Sequence, residues 1–296
     1  MNQIIVIAGP TASGKTALSI KLAAAFDSEI ISADSRQFYR NMDIGTAKPS
    51  DEELNEIPHH LINSLDVTEK YNVGRFETEA LVVAENLFRK LDTVFLTGGS
   101  GLYIDAFCKG MDDLPETKPE IREDLNKLFE KEGIEILKKK LQEADPEYFS
   151  ECDINNPHRI MRALEIITIT GEKYSTLRKK AYKKRDFKIK KIGLLVDRDL
   201  LYNRINKRVD RMIEQGLLKE VESLLPYRNE YALQTVGYRE LFEFIDKKIS
   251  FEEAVTLIKQ NTRNYAKRQM TWFRKDPEMK WFETDETEKM ITYIKK

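Results

Sequence analysis

Short β-branched runs alternate with apolar residues at helical spacing through the N-terminal third of the chain. Ile4-Ile5-Val6-Ile7 lacks polar alternation and stops at Gly9, which predicts a strand buried on both faces, as in a parallel sheet. Ala17, Leu18, Leu22 and Ala25 then recur at helical spacing. Glu29-Ile30-Ile31-Ser32 predicts a second strand, closed by the polar Asp34-Ser35-Arg36-Gln37. The pattern from Val73 to Lys90 predicts a helix. Thr93-Val94-Phe95-Leu96 predicts a third strand running into Thr97-Gly98-Gly99-Ser100-Gly101, and Ile192 to Val196 a fourth. Strands alternating with helices at these intervals argue for an α/β core with a parallel sheet.

Between Leu114 and about Lys188 the strand signals vanish. Pro119 opens one helix, Ile134 to Ala144 reads as a second, and Pro157 opens a third that stops near Gly171. The expected organisation is a core of residues 1–113 and 189–296 carrying a helical insertion, 114–188. From Leu200 onward the chain reads as nearly all helix, with Gly216 ending the first of that group.

Composition narrows the class. The chain has 296 residues, 41% hydrophobic and 33% charged, which excludes a disordered or fibrous protein. Net charge is −1, but its distribution is uneven. Nine of the fourteen residues from Arg178 to Lys191 are basic, and six basic residues with no acidic one lie between Lys259 and Lys275. Local patches of this kind can meet phosphates whatever the total charge. The first reads as a solvated hinge strand or linker. Tyr265, Trp272 and Phe273, at helical spacing in the second, read as core. Cys108 and Cys152 are too few for a disulfide framework and lack metal-ligand spacing. His59 and His60 read as loop residues without a partner. With no leader-like start and no apolar run long enough to span a bilayer, a soluble, cytoplasmic monomer is expected.

Gly9-Pro10-Thr11-Ala12-Ser13-Gly14-Lys15-Thr16 matches G-x-x-x-x-G-K-[ST] between a predicted strand and a predicted helix, the context that gives the motif its meaning. Its backbone N–H groups and the helix N-terminus cradle phosphate oxygens; Lys15 neutralises the terminal phosphate and the Thr16 hydroxyl sits on Mg²⁺. Nucleotide hydrolases of this type place a carboxylate at the end of a later strand. Here that strand ends in Thr97-Gly98-Gly99, so the loop argues for binding a diphosphate more than for hydrolysing a nucleotide.

Asp34 falls at the C-terminal end of the second strand, the edge outside which open α/β sheets bind ligands. A carboxylate there can hold Mg²⁺, take a proton from a substrate or cap the next helix. Arg204 and Arg208 lie one helical turn apart beside the apolar stripe Leu201, Ile205, Val209 and Met212. They read either as a solvated face or as a second clamp on diphosphate, with neither arginine favoured.

Seven strings now stand in order along the chain: residues 9–16, Ser32-Ala-Asp-Ser35, Met42-Asp-Ile-Gly-Thr-Ala-Lys-Pro49, Gly98-Gly-Ser-Gly-Leu-Tyr103, Asn156-Pro-His-Arg-Ile-Met-Arg-Ala-Leu-Glu165, Gln234-Thr-Val-Gly-Tyr-Arg-Glu240 and Lys267-Arg-Gln-Met-Thr-Trp-Phe-Arg274. Together they resemble the bacterial tRNA dimethylallyltransferases, also called tRNA isopentenyltransferases. The resemblance implies a P-loop NTPase-like core with a helical insertion that contacts tRNA. It also implies transfer of a dimethylallyl group from dimethylallyl diphosphate to N6 of the adenosine 3′ of the anticodon. Diphosphate would lie on residues 9–16 with Mg²⁺, Asp34 would act as general base, and Lys15 and Ser100 would complete the catalytic set. Contacts to tRNA are implied at Asp34, Ser35, Arg36 and Gln37; at Ser100 and Arg122; at His158, Arg159, Ile160, Met161 and Arg162; and at Gln234, Thr235, Val236, Gly237, Tyr238 and Arg239. Gln37 and Gln234 are plausible readers of an adenine flipped out of its loop.

Three departures stand out. Ser100 replaces a threonine common in relatives but keeps the hydroxyl. Phe38 replaces a smaller aliphatic residue. The zinc-finger extension of eukaryotic relatives is missing, since no Cys/His cluster follows Lys275. Two other readings compete: a small-molecule phosphotransferase using ATP on the same loop, and a non-catalytic RNA-binding module switched by nucleotide.

Overall fold

The computed structural model describes residues 2–179 and 182–296, which divide into two compact units: Lys109–Lys183, and the remainder of the chain. The larger unit is built on six parallel strands in the order β3-β2-β4-β1-β5-β6: β1 Gln3–Ala8, β2 Ile30–Ser32, β3 His59–His60, β4 Thr93–Gly98, β5 Lys188–Leu195 and β6 Met279–Glu283. β1 lies between β4 and β5, with Val6 opposite Leu96 and Ile7 opposite Ile192. Alternation along β1 splits the core into two layers. Ile4 and Val6 join Val94, Leu96, Phe76 and Phe107 on one face; Ile5 and Ile7 join Phe95, Ile192 and Leu194 on the other.

The second layer is closed by α1 (Lys15–Ala25), through Leu18 and Leu22, and by the C-terminal helix (Thr287–Lys295), through Met290 and Ile294. The first layer is closed by α3 (Val73–Leu87), α4 (Gly101–Lys109) and the C-terminal helices. These are α10 (Arg198–Glu214), α11 (Leu217–Ser223), α12 (Tyr238–Ile245) and α13 (Phe251–Phe273), with α2 (Asp51–Glu56) preceding β3.

Two strands escape the hydrophobic pattern. β6 is five residues, Met-Lys-Trp-Phe-Glu, inside what reads as continuous helix, and it pairs with β5 in register Leu194–Phe282. β3 is the His59-His60 pair, expected in a loop without partners. His60 Nε2 lies 2.7 Å from Glu29 Oε2, and a ring nitrogen of His59 lies 2.7 Å from the Ile57 carbonyl. Two residues are too few to show a period.

The basic run 178–191 ends in a strand, as one of its two readings has it, but it is not solvated throughout. Its last four residues lie in β5. The Lys191 side chain is 3% exposed and donates to Asp276 and Glu278, both at 2.7 Å. Burial alone would depress that ammonium, but the two carboxylates prevail and hold it above its usual range. Lys190 donates to the carbonyls of Tyr293 and Ile294 at the C-terminus of the last helix. Arg185 caps α4 through the carbonyls of Ala106 and Phe107 and bonds Glu77 Oε1 at 2.9 Å. Lys183, Lys184 and Lys188 are exposed; Lys180 of this run lies outside the described residues.

The smaller unit holds α5 (Pro119–Glu132), α6 (Ile134–Ala144), α7 (Pro146–Glu151), α8 (Pro157–Thr170) and α9 (Tyr174–Leu177). Prolines stand in the first turns of α5, α7 and α8, where a missing N–H costs nothing, and Gly171 ends α8 at φ 73°. Its core is Leu137, Leu141, Tyr148, Ile160, Met161, Ala163 and Leu164. Asp145 ties it together by accepting from Tyr148 N, Ser175 N and Ser175 Oγ. Among the described residues no helix is long and apolar enough to cross a membrane.

Candidate active site

The loop from Gly9 to Thr16 leaves β1 and enters α1, with Gly14 at φ 92° and Ala12 at φ 62° turning the backbone through the left-handed region. Gly98 ends β4 so close to the Ala33 carbonyl that a Cβ has no room, and β2 and β4 deliver their loops side by side. Gln269, from α13, ties the loop after β4 to the loop after β1: its Oε1 accepts Thr11 N–H at 2.9 Å and its Nε2 donates to the Gly99 carbonyl at 2.8 Å.

These loops open into a cavity of about 250 Å³. Its lining includes the polar Thr11, Lys15, Thr16, Asp34 and Arg208 and the apolar Ala47, Val209, Met212, Leu217, Val236 and Ile258. Loss of hydration pulls the Lys15 ammonium down to about 8, Asp34 opposing the shift and Arg208 adding to it. Arg208 is lowered by burial first, with Asp34 again opposing. Asp34 is thus the negative charge facing two half-buried cations. One of its oxygens accepts Arg36 N–H at 3.0 Å, which closes a turn and not a helix, so Asp34 lines the cavity and the helix-cap reading is not met. Lys15 Nζ donates to the Pro10 carbonyl at 2.7 Å.

Of the two arginines left unranked by sequence, Arg208 lines the cavity; Arg204, one turn earlier and half-buried, does not. The other loop residues, Gly9, Pro10, Ala12, Ser13 and Gly14, shape the turn without lining the cavity. Ser100 is 9% exposed, and its hydroxyl accepts Ser35 N–H at 3.0 Å and bonds the Tyr265 phenol. Tyr265, read from sequence as core, lines the cavity instead. Burial and then the Asp34 charge push its phenol up to about 12, the bond to Ser100 working against them. Trp272 is 39% exposed and donates to Asp105, leaving Phe273 as the core member of that aromatic set. Phe38 is fully buried among Tyr71, Phe76 and Tyr103 and does not line the cavity.

Ser35, Arg36, Gln37, Thr235, Val236 and Gly237 all line the cavity. The Gln37 side chain is already engaged: it accepts from Ser32 Oγ and donates to the carbonyls of Thr46 and Ala47. That makes it a brace for the cavity wall, not a free reader of a base. Gln234 and Arg239 are exposed, with Gln234 donating to the Arg228 carbonyl. Tyr238 is fully buried, so it cannot present its ring to an RNA.

In the smaller unit, His158 and Arg159 are exposed, whereas Ile160 and Met161 belong to the unit's core and offer no side chain to a partner. Arg122 and Arg162 converge on Glu165, a fully buried carboxylate on α8. Arg162 also donates to Thr117 Oγ1 and the Pro115 carbonyl. The residues sequence reasoning missed are Gln269 and the apolar wall. Gln269 stands inside a quoted motif, but no spacing rule flags a lone amide.

A cavity lined by two cations, a carboxylate and several aliphatic side chains accommodates a polyanion joined to an apolar group. Fold and site together define an enzyme of the P-loop type that handles phosphorylated substrates. A family model described as IPP transferase matches residues 37–276. The chain is 52% identical to a tRNA dimethylallyltransferase of Christiangramia forsetii, over 98% of this chain and 96% of that protein. It is 45% identical to tRNA dimethylallyltransferase 1 of Bacteroides thetaiotaomicron, over 100% and 96%. Among solved structures, the tRNA isopentenylpyrophosphate transferase of Bacillus halodurans superposes with a TM-score of 0.75 at 36% identity, covering 100% of this chain and 96% of that one. A eukaryotic dimethylallyltransferase described as acting on tRNA superposes with a TM-score of 0.80 at 28% identity, over 99% and 76%. The chain belongs to the tRNA dimethylallyltransferase family.

Proposed function

We propose that this protein transfers the dimethylallyl group of dimethylallyl diphosphate to N6 of the adenosine 3′ of the anticodon in tRNA, working in the cytoplasm where that RNA is found. The observation that carries the reading is that Lys15, Arg208 and Asp34 line one cavity together with several aliphatic side chains. The diphosphate lies on the loop amides between Lys15 and Arg208, and the prenyl group packs against Met212, Leu217 and Val236.

In the reaction the allylic C–O bond breaks as the C–N6 bond forms. The electron pair of the broken bond leaves with the diphosphate, whose growing charge Lys15 and Arg208 offset. The N6 amine is a poor nucleophile because its lone pair is delocalised into the ring, and its proton passes to Asp34. Ser100 acts on the acceptor side, its hydroxyl fixing the Ser35 amide and the Tyr265 phenol beside that carboxylate. The aliphatic wall keeps water from the allylic carbon.

Mg²⁺ suits the donor set. Thr16 and Asp34 offer oxygen ligands on one cavity, too few to hold a metal alone but enough for an ion that takes its other ligands from substrate phosphates and water. Bound there, it would add charge stabilisation to the leaving diphosphate. Exposed His158 and Arg159, with Arg122 and Arg162 fixed by Glu165, form the surface of the smaller unit suited to RNA phosphates.

The test is incubation with Mg²⁺, dimethylallyl diphosphate labelled in the prenyl group, and unmodified tRNA. Label is expected in N6-substituted adenosine after digestion. Label confined to a hydrolysed alcohol, or ATP-dependent phosphorylation of an acceptor instead, would refute the reading.

A further inference from the structure

Glu220 on α11 does not line the cavity, yet it accepts four hydrogen bonds from Gly45, which does, and from groups directly behind it. Its carboxylate accepts three consecutive backbone N–H groups, from Asp43 at 2.9 Å, Ile44 at 2.7 Å and Gly45 at 3.0 Å. The fourth comes from the Tyr238 hydroxyl at 2.6 Å. Successive amides turned toward one point form an anion cradle, here filled by the protein's own carboxylate. The Tyr238 ring packs so closely on Gly45 that a Cβ there would stand 2.5 Å from it. The residues that follow, Thr46 and Ala47, are held from the opposite side by Gln37. Lys48 anchors the end of the segment on the Tyr39 carbonyl, Asp43 and Asn63.

Gly45, Thr46 and Ala47 line the cavity together with Met212, Leu217 and Gly237. The same cavity is lined by Arg208 and Lys15. Met212 lies one turn, about 6 Å, along α10 from Arg208. Leu217 follows on the next helix, with its Cδ2 3.9 Å from where a Cβ on Gly237 would stand.

We propose that Glu220 is a positioning residue that fixes the 43–47 segment as the end wall of the prenyl chamber, and so sets the length of prenyl group the enzyme accepts. The inference rests on the prenyl-transfer reading above. A short allylic diphosphate fits with the wall in place, whereas a ten-carbon geranyl group needs the wall to retreat. Glutamine at position 220 keeps one acceptor oxygen and turns an NH₂ donor toward the donors on the other side, so half of the four bonds are lost without change of shape.

The experiment measures tRNA prenylation with dimethylallyl diphosphate and with geranyl diphosphate for the wild type, Glu220→Gln and Tyr238→Phe. Glu220→Gln should raise KM for dimethylallyl diphosphate about tenfold, equal to about 1.4 kcal/mol, with a smaller change in kcat and in KM for tRNA. It should raise the ratio of geranyl to dimethylallyl kcat/KM by about the same factor. Tyr238→Phe keeps the three amide bonds and should keep the wild-type ratio. An unchanged ratio in Glu220→Gln, or an equal loss on both substrates, would overturn the proposal. Native-state hydrogen exchange of wild-type amides 43–45 tests the lock without a variant: strong protection is expected, and exchange at the rate of an open loop would overturn it. Absence of any transfer by the wild type would instead refute the prenyl-transfer reading while leaving the exchange test of the lock standing.

Discussion

Lys15 gives the most quantitative prediction. Its ammonium sits on the cavity floor with a pKa near 8 instead of 10.5, and only the charged form neutralises a diphosphate. Binding of the dianionic end raises that pKa again, so the complex takes up a proton wherever free Lys15 has lost one. Affinity is therefore fully present below pH 8 and lost as pH rises past it. With a pKa of 8, the dissociation constant of dimethylallyl diphosphate should be nearly flat to pH 7, double by pH 8 and grow about elevenfold by pH 9.

The last phosphate proton has a pKa near 6 and is about nine-tenths gone by pH 7, so the limb at pH 8 and above belongs to the protein. Equilibrium dialysis or calorimetry from pH 6.5 to 9.5 reads the curve directly. Lys15→Arg, which keeps its charge throughout, should flatten it. A dissociation constant independent of pH through 9.5 in the wild type, or an identical rise in Lys15→Arg, would refute the reasoning. The same shift has a cost in stability. The depressed pKa means the folded state disfavours the charge, a penalty on the order of 3 kcal/mol below pH 8 that fades toward pH 10.5. Lys15→Met should accordingly raise Tm at neutral pH.

Four further outcomes are expected. Asp34→Asn should keep tRNA binding in a filter assay and lose about 10²- to 10⁴-fold in kcat, the range for a missing general base; full turnover would remove Asp34 from that role. Gln269→Leu leaves Thr11 N–H and the Gly99 carbonyl without their partner, and should weaken dimethylallyl diphosphate binding by about 1–3 kcal/mol in the same dialysis assay. Arg208→Ala should raise KM for that substrate far more than Arg204→Ala, since only Arg208 lines the cavity; equal effects would contradict the placement. Arg185→Met removes the ion pair to Glu77 and the bonds to the Ala106 and Phe107 carbonyls, and should lower unfolding stability by about 1–3 kcal/mol in urea, with Lys184→Met, an exposed neighbour, changing little.

Much of the site was legible because its chemistry is local in sequence. The phosphate loop is one contiguous string between a strand and a helix, and Asp34 stands at a strand end whose C-terminal edge is fixed by parallel topology. The apolar wall was not legible, because Met212, Leu217, Val236 and Ile258 come from separate helices and a loop, and each alone looks like ordinary core. The same limit misled the reading of Tyr265 as core, of the basic run ending at Lys191 as solvated, and of Tyr238, Ile160 and Met161 as RNA contacts. In each case tertiary packing, not residue type, decides which side of the chain faces solvent. β3 and β6 were missed because strands of two and five residues carry little period to detect.

The central claim is that one cavity seats the diphosphate on Lys15 and brings the acceptor amine to Asp34. A crystal structure of the protein with an anticodon stem-loop and an unreactive thio analogue of dimethylallyl diphosphate measures this directly. The account predicts adenine N6 within hydrogen-bond reach of the Asp34 carboxylate, with the diphosphate on the Thr11–Thr16 amides and the prenyl group against Met212 and Leu217. Adenine seated away from Asp34, or the diphosphate bound elsewhere than on that loop, would contradict it.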